Sequence, residues 1–281
     1  MKILAFECST ATASVAVSDN GRILGESSIE ASRRHTEQLL PMADVLLSSL
    51  GLTLDDISAF ACSIGPGSFT GVRIGAATVK GLAFGSGKPC VGTSSLTSLT
   101  YCHADAENGT LICPVIGCRR GNVYNSLFEL RDGKPVHLCD DRMISCTELA
   151  EELISRGKPV TLCGDETAAI SALCSDDLII PTARSPLPSA VGVALLADKL
   201  LHDRADCADH TRDDCDCTDN EHTYNKHTDN FCAAHTHTDN ERFDGDRADS
   251  AMSADEYTDL TLFPDYFRPC QAERERLGMG D

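Results

Sequence analysis

The order of apolar stretches repeats along this chain, and the repeat constrains the fold more than any single motif. Three strand-like runs, KILAF, ASVAV and RILGESSI, open the chain, with Asp19-Asn20-Gly21 between the second and third. Asn-Gly takes the left-handed conformation that a two-residue hairpin turn requires. Leu39, Ala43, Leu46, Leu47 and Leu50 then share one helical face over 35–50. The strand ISAFACSI, a glycine-rich loop, a helix over 70–84 and a strand near KPCVG complete this unit. The opening then recurs. LICPVIG, NVYNSLFEL and, after the turn Asp132-Gly133, KPVHLC predict three strands. Ser145 and Glu148 form a capping-box signature for the next helix. PVTLCGD is a strand, and a helix over 190–202 closes the half. Two such units imply a duplicated α/β fold with mixed sheets. The domains are placed at 1–105 and 106–281, with the boundary in the polar HADAENGT.

Composition narrows the class. The chain has 281 residues, enough for two cores. It has no apolar run long enough for a membrane span, and its start lacks a signal-peptide pattern, which predicts a cytoplasmic protein without membrane contact. The 15 cysteines include no CxxC pair and read as reduced thiols. A net charge of −19 argues against a nucleic-acid grip of the chain's own. Residues 203–250 hold 14 Asp and Glu against 5 Lys and Arg, with no Val, Ile, Leu or Met, and repeat His-Thr-Asp-Asn from His227 and His237. Such a stretch cannot bury enough apolar area to offset its ordering entropy. It is read as a disordered acidic insertion at 203–255 within the second domain. Its five histidines and four cysteines allow loose binding of a divalent ion, and an acidic loop is the simpler reading.

GPGSFTGVRIG, residues 65–75, carries the sharpest local signal. A glycine-rich loop opening a helix can bind an anion through free N–H groups. It can equally be a tight turn with Ser68 or Thr70 as N-cap. Gly71, Gly75, Ala76 and Gly81 make a smooth helical surface. Because Gly inside a helix costs about 0.5–1 kcal/mol relative to Ala, close packing, internal or across a subunit interface, is the preferred reading. Arg73 and Lys80 suit phosphate, RNA or salt bridges. His35 and Glu37 read as a helix start with Thr36 as N-cap, and Arg119 and Arg120 as surface charge.

The duplicated order resembles the actin-like (ASKHA, ribonuclease H-like) ATPases. That resemblance implies ATP between the domains, held by a hydroxyl-rich turn and a carboxylate in each half. The first half offers Glu7, Ser9 and Thr10, while the matching carboxylate position in the second is Gly117. Ser9 and Thr10 therefore read as a vestigial phosphate loop, and no cofactor is expected beyond a weak case for ATP.

Four phrases are more specific: RRHTEQLLPM (33–42), GPGSFTGVRIGAATVKGLA (65–83), RRGNVY (119–124) and PDYFR (264–268). Together they resemble the TsaB family of glycoprotease-like proteins, over roughly 1–202 and 257–270. The resemblance implies a non-catalytic subunit in making N6-threonylcarbamoyladenosine at position 37 of tRNA. It implies dimerisation with a catalytic TsaD-like protein, support for a TsaE-like ATPase, a homodimer when alone, and contact with tRNA only through the complex. The His-x-x-x-His metal pair of TsaD falls here on Ser95 and Leu99, so no metal and no catalytic residue is expected. Helices of the N-terminal domain form the family's contact, and extending that to this chain places the interface on Gly71, Arg73, Gly75, Ala76 and Lys80. Gly75→Leu is then expected to weaken assembly and leave the monomer folded. An independent ATPase or small-molecule kinase of the same fold, and a peptidase, remain open as alternatives.

Overall fold

The computed structural model describes residues 1–30, 35–103, 106–181 and 185–210. Most of the acidic stretch, and PDYFR, lie outside the described residues. Two mixed sheets form the frame. The first contains β1 (Lys2–Glu7), β2 (Thr12–Asp19), β3 (Arg22–Glu30), β4 (Ala59–Gly65) and β5 (Cys90–Ser94), in the order β3-β2-β1-β4-β5. The second contains β6 (Leu111–Gly117), β7 (Asn122–Arg131), β8 (Lys134–Ser145) and β9 (Val160–Gly164), in the order β8-β7-β6-β9. In each sheet the first three strands run antiparallel, and the first pairs in parallel with the strand that follows the helix. This is the duplicated α/β architecture that the repeat predicts. Asn20 and Gly21 in one hairpin, and Asp132 and Gly133 in the other, all have positive φ, which fits the right-handed twist of the strands they join.

The helices are α1 (His35–Ser49), α2 (Phe69–Ser86), α3 (Ser95–Tyr101), α4 (Cys146–Arg156), α5 (Thr167–Ser171) and α6 (Ala190–His210). On one face of the first sheet, α1 and α2 bury Leu39, Leu46, Leu47, Ala76 and Val79 against Leu4, Phe6, Phe60 and Cys62. Each large apolar side chain fully buried there contributes about 1.5–3 kcal/mol. α4 packs on the second sheet, with Leu149 and Leu153 against Val115, Val123 and Leu162. Its capping box is formed as expected: Ser145 Oγ accepts from Glu148 N at 3.2 Å, and Glu148 Oε2 accepts from Ser145 N at 3.3 Å. Of the two N-cap choices for α2, Ser68 is used and accepts from Gly71 N at 3.3 Å. α1 already includes His35, so Thr36 lies inside the helix and is not its N-cap.

α6 departs from the sequence reading in two ways. It does not close the second half. Ala190, Val193, Ala194 and Ala197 pack on Ile3, Ala5, Ala16, Ala59 and Ala61, the free face of the first sheet. Small residues on both sides allow close approach, and a local apolar pattern carries no information on which sheet will receive it. The helix also continues to His210, eight residues past the predicted end at 202. The ladder of backbone hydrogen bonds needs no apolar residue, and Ala205 and Ala208 are strong helix formers. α3 crosses in the opposite direction: it leaves the first sheet and buries Leu96 and Leu99 against Ile112, Ile116 and Phe128 of the second. The two crossing helices meet at Gly192, where any Cβ would overlap Ser98 O.

Candidate functional site

The chemistry-bearing residues of the first half gather where β1 turns into β2 beneath the start of α2. Glu7 ends β1 and is 1 % exposed. Its Oε1 accepts from Ser9 N at 2.6 Å and from Ser63 Oγ at 2.9 Å. Burial raises its carboxyl above the ordinary value of 4.5, and these hydrogen bonds oppose the rise only in part. Ser9 is also 1 % exposed, and its buried Oγ has no hydrogen-bond partner among the described residues. Thr10 is buried, and its Oγ1 accepts from Thr12 N at 3.4 Å. The glycine-rich loop closes over this turn, with Ser68 N donating to Ser9 O at 2.6 Å.

The glycines permit that closure. A Cβ on Gly67 would overlap Ser9 O, and one on Gly71 would overlap Cys8 O. At Gly75 a Cβ would stand 2.7 Å from Cys8 Sγ. Gly71, Gly75 and Ala76 are buried within the first domain. Their assignment to a subunit interface is therefore corrected: they pack the helix onto its own β1–β2 turn. The arrangement also seals Ser9 beneath the loop, so its hydroxyl does not face outward to meet a phosphate.

The opposite side of α2 is different. Arg73 is exposed, with its guanidinium 3.7 Å from the centroid of the Phe69 ring, and Lys80 is half-buried. Ala77, Gly81, Phe84 and Gly85 lie on the exposed side, and Phe84 is 69 % exposed. Among the described residues, a Cβ at Gly81 or Gly85 would meet nothing within 4 Å, so no contact with them accounts for the cost of these glycines to the helix. Neighbouring α1 leaves Leu40 and Val45 exposed, at 50 % and 67 %. The sequence reading named Arg73, Lys80 and Gly81 at this side but not Ala77, Phe84 or Gly85. The spacing 77, 81, 85 signals it, one helical turn at a time.

In the second half, Gly117 stands where the resemblance to ATPases calls for a carboxylate. Two carboxylates from the segment after β9 reach this place. Gly117 N donates to Asp165 Oδ1 at 2.8 Å, and a Cβ at 117 would lie 3.0 Å from Glu166 Cγ and Oε1. Burial raises the Asp165 carboxyl above its ordinary value. Neither residue was singled out from sequence, because both lie far along the chain from Gly117. Arg119 and Arg120 are exposed on the following turn, and Arg120 has a φ of 65°. Ser95 and Leu99, the positions matching the TsaD metal pair, are buried on α3, where Leu99 packs on the second sheet. Among the described residues, no group of three His, Cys, Asp or Glu side chains is placed to hold a metal ion, and no helix is long and apolar enough to cross a membrane.

Residues 26–223 match the family model described as TsaD: tRNA N6-adenosine threonylcarbamoyltransferase. The chain is 38 % identical over 124 residues to the tRNA threonylcarbamoyladenosine biosynthesis protein TsaB of Escherichia coli, a match covering 44 % of this chain and 53 % of that protein. It thus spans about half the length of that relative. It is 30 % identical over 182 residues to the Bacillus subtilis protein of the same name, covering 63 % of this chain and 77 % of the relative. Among solved structures, a Pseudomonas aeruginosa protein described as similar to the peptidase YEAZ superposes with a TM-score of 0.62. It is 26 % identical, and the match covers 72 % of this chain and 92 % of that one.

Proposed function

The chain belongs to the TsaB family, and from that premise we propose that it is the partner subunit of a TsaD-like transferase in threonylcarbamoyladenosine synthesis on tRNA. The observation that carries this reading is the match to the Bacillus subtilis TsaB over 77 % of that protein. The site geometry supports a non-catalytic role. The two TsaD metal-ligand positions are a buried serine and a buried leucine. Ser9 and Thr10 are enclosed, which supports a chain with no cofactor of its own.

The interface proposed for the partner is the outer side of α2 with the exposed part of α1. Ala77, Gly81 and Gly85 would let a partner helix approach closely, and Phe84, Leu40 and Val45 would supply apolar area. Arg73 and Lys80 lie at this side too and stay in the proposal, whereas Gly71, Gly75 and Ala76 leave it. A second copy of the chain would use the same surface when the TsaD-like protein is absent. A TsaE-like ATPase would join the assembled pair, tRNA would be gripped by the complex, and the assembly would work in the cytoplasm.

The test is depletion of the protein followed by nucleoside analysis of total tRNA, together with co-purification. Threonylcarbamoyladenosine is expected to fall, and a TsaD homologue to come down with the tagged chain. Unchanged nucleoside levels would overturn the proposal.

A further inference from the structure

The outer sides of α1 and α2 carry opposite charges at the same spacing. α1 has Glu37 and Asp44, both exposed, and no Lys or Arg. α2 has Arg73, exposed, and Lys80, half-buried, and no Asp or Glu. Each pair is seven residues apart. That is close to two helical turns, about 10.5 Å, so both members of a pair stand on one side of their helix. The Arg73 guanidinium rests 3.7 Å from the centroid of the Phe69 ring, which holds this charge at the start of the row.

Side-chain size alternates in the same sense. Along its exposed side α1 presents Leu40 and Val45, then the small Ser48 and Ser49. α2 presents the small Ala77 and Gly81, then Phe84. Consider α1 laid along an α2 in the same direction, with Glu37 level with Arg73. Asp44 then falls level with Lys80, Val45 with Gly81 and Ser48 with Phe84, and Leu40 lies beside Ala77. Each charge meets its opposite, and each large side chain meets a small one. Reversing α1 matches the charges as well, but carries Phe84 past the start of α1 at His35. α1 against α1 sets acid beside acid, and α2 against α2 sets base beside base; like charges brought together across an interface disfavour that pairing.

We propose that two copies of the chain pair with α1 of each lying along α2 of the other, Glu37 meeting Arg73 and Asp44 meeting Lys80. The proposal rests on the assignment of the outer side of α2 to assembly, and it names the occupant and the register. The arrangement is self-complementary, as a two-fold contact must be: the match that seats α1 of the first copy on α2 of the second also seats α1 of the second on α2 of the first. Exposed ion pairs add little affinity one at a time. These four residues act mainly by penalising the wrong helix pairings, so they decide which helix meets which.

Charge exchange in the full chain, read by analytical sedimentation at about 0.15 M salt to screen distant charges, tests this. Wild type is expected to dimerise. Glu37→Lys with Asp44→Lys, and separately Arg73→Glu with Lys80→Glu, should each weaken dimerisation by at least about tenfold while cooperative melting is kept. An equimolar mixture of the two double variants should recover the wild-type dimer. Net charge alone gives the opposite result for the first variant, which reduces the chain's charge of −19 and would then dimerise better than wild type. For the register, Glu37→Lys should be rescued by a copy carrying Arg73→Glu and not by one carrying Lys80→Glu. A monomeric wild type overturns the second copy as occupant. Two double variants that dimerise like wild type overturn the assignment of this side to self-assembly, and the proposal with it. If both weaken and the mixture does not recover, that assignment stands and the pairing of α1 with α2 is overturned. Rescue of Glu37→Lys by Lys80→Glu instead of Arg73→Glu overturns the register.

Discussion

The two sides of α2 carry glycines for different reasons. On the inner side, Gly71 and Gly75, joined by Gly67 of the preceding loop, lie against the Cys8–Ser9 turn, and a Cβ at each would meet main chain or sulfur. On the outer side, a Cβ at Gly81 or Gly85 would meet nothing within 4 Å among the described residues. Identical residues in one helix thus serve internal fit on one side and, in the proposed function, a partner's approach on the other. The lesson is that a run of small residues identifies a close contact without saying with what. The other member of the contact decides whether substitution breaks the fold or the assembly.

Substitutions can break this contrast. Gly71→Leu is expected to have the largest effect. It forces the helix away from a backbone carbonyl that cannot rotate aside, and it should cost at least about 3 kcal/mol, read as loss of cooperative thermal melting. Gly75→Leu is expected to destabilise the monomer by about 1–3 kcal/mol, contrary to its reading as a pure assembly variant. Because the obstacle there is a sulfur atom, Cys8→Ala should restore about 1 kcal/mol to Gly75→Ala in a double-mutant cycle. Additive single effects would show that Cys8 is not the neighbour that matters. Beneath the same turn, Glu7→Gln should flatten the pH dependence of stability. The folded carboxyl is raised, so the wild-type contribution is full below 4.5 and is lost as pH rises through the folded value. The melting temperature of the variant relative to wild type should therefore climb with pH. Gly81→Ala should have the smallest effect on the isolated chain, a gain of about 0.5–1 kcal/mol, since it fills open space on a helix.

Much of the frame was legible in the sequence. The hairpin turns at Asn20-Gly21 and Asp132-Gly133, the capping box at Ser145 and Glu148, and the face of α1 all depend on neighbours close in the chain. The sheet that receives α6 was not legible, because Ala190, Val193 and Ala194 fit either sheet equally well by pattern. The candidate site divides in the same way. Glu7, Ser9 and Thr10 stand out locally, but their enclosure depends on Ser68 and Gly71, about sixty residues later. Asp165 and Glu166 reach Gly117 only through the parallel pairing of β6 with β9.

Phe84→Asp offers the most direct measurement of the central claim. It places a charge on the outer side of α2, where the ring is 69 % exposed, and surface changes of this kind usually alter stability by no more than about 0.5 kcal/mol. Titration against the TsaD-like partner should show affinity reduced by about tenfold or more, as for an interface anchor, with the melting temperature of the isolated chain unchanged. Wild-type affinity in Phe84→Asp, with the chain folded, would contradict the assignment of this side of α2 to assembly.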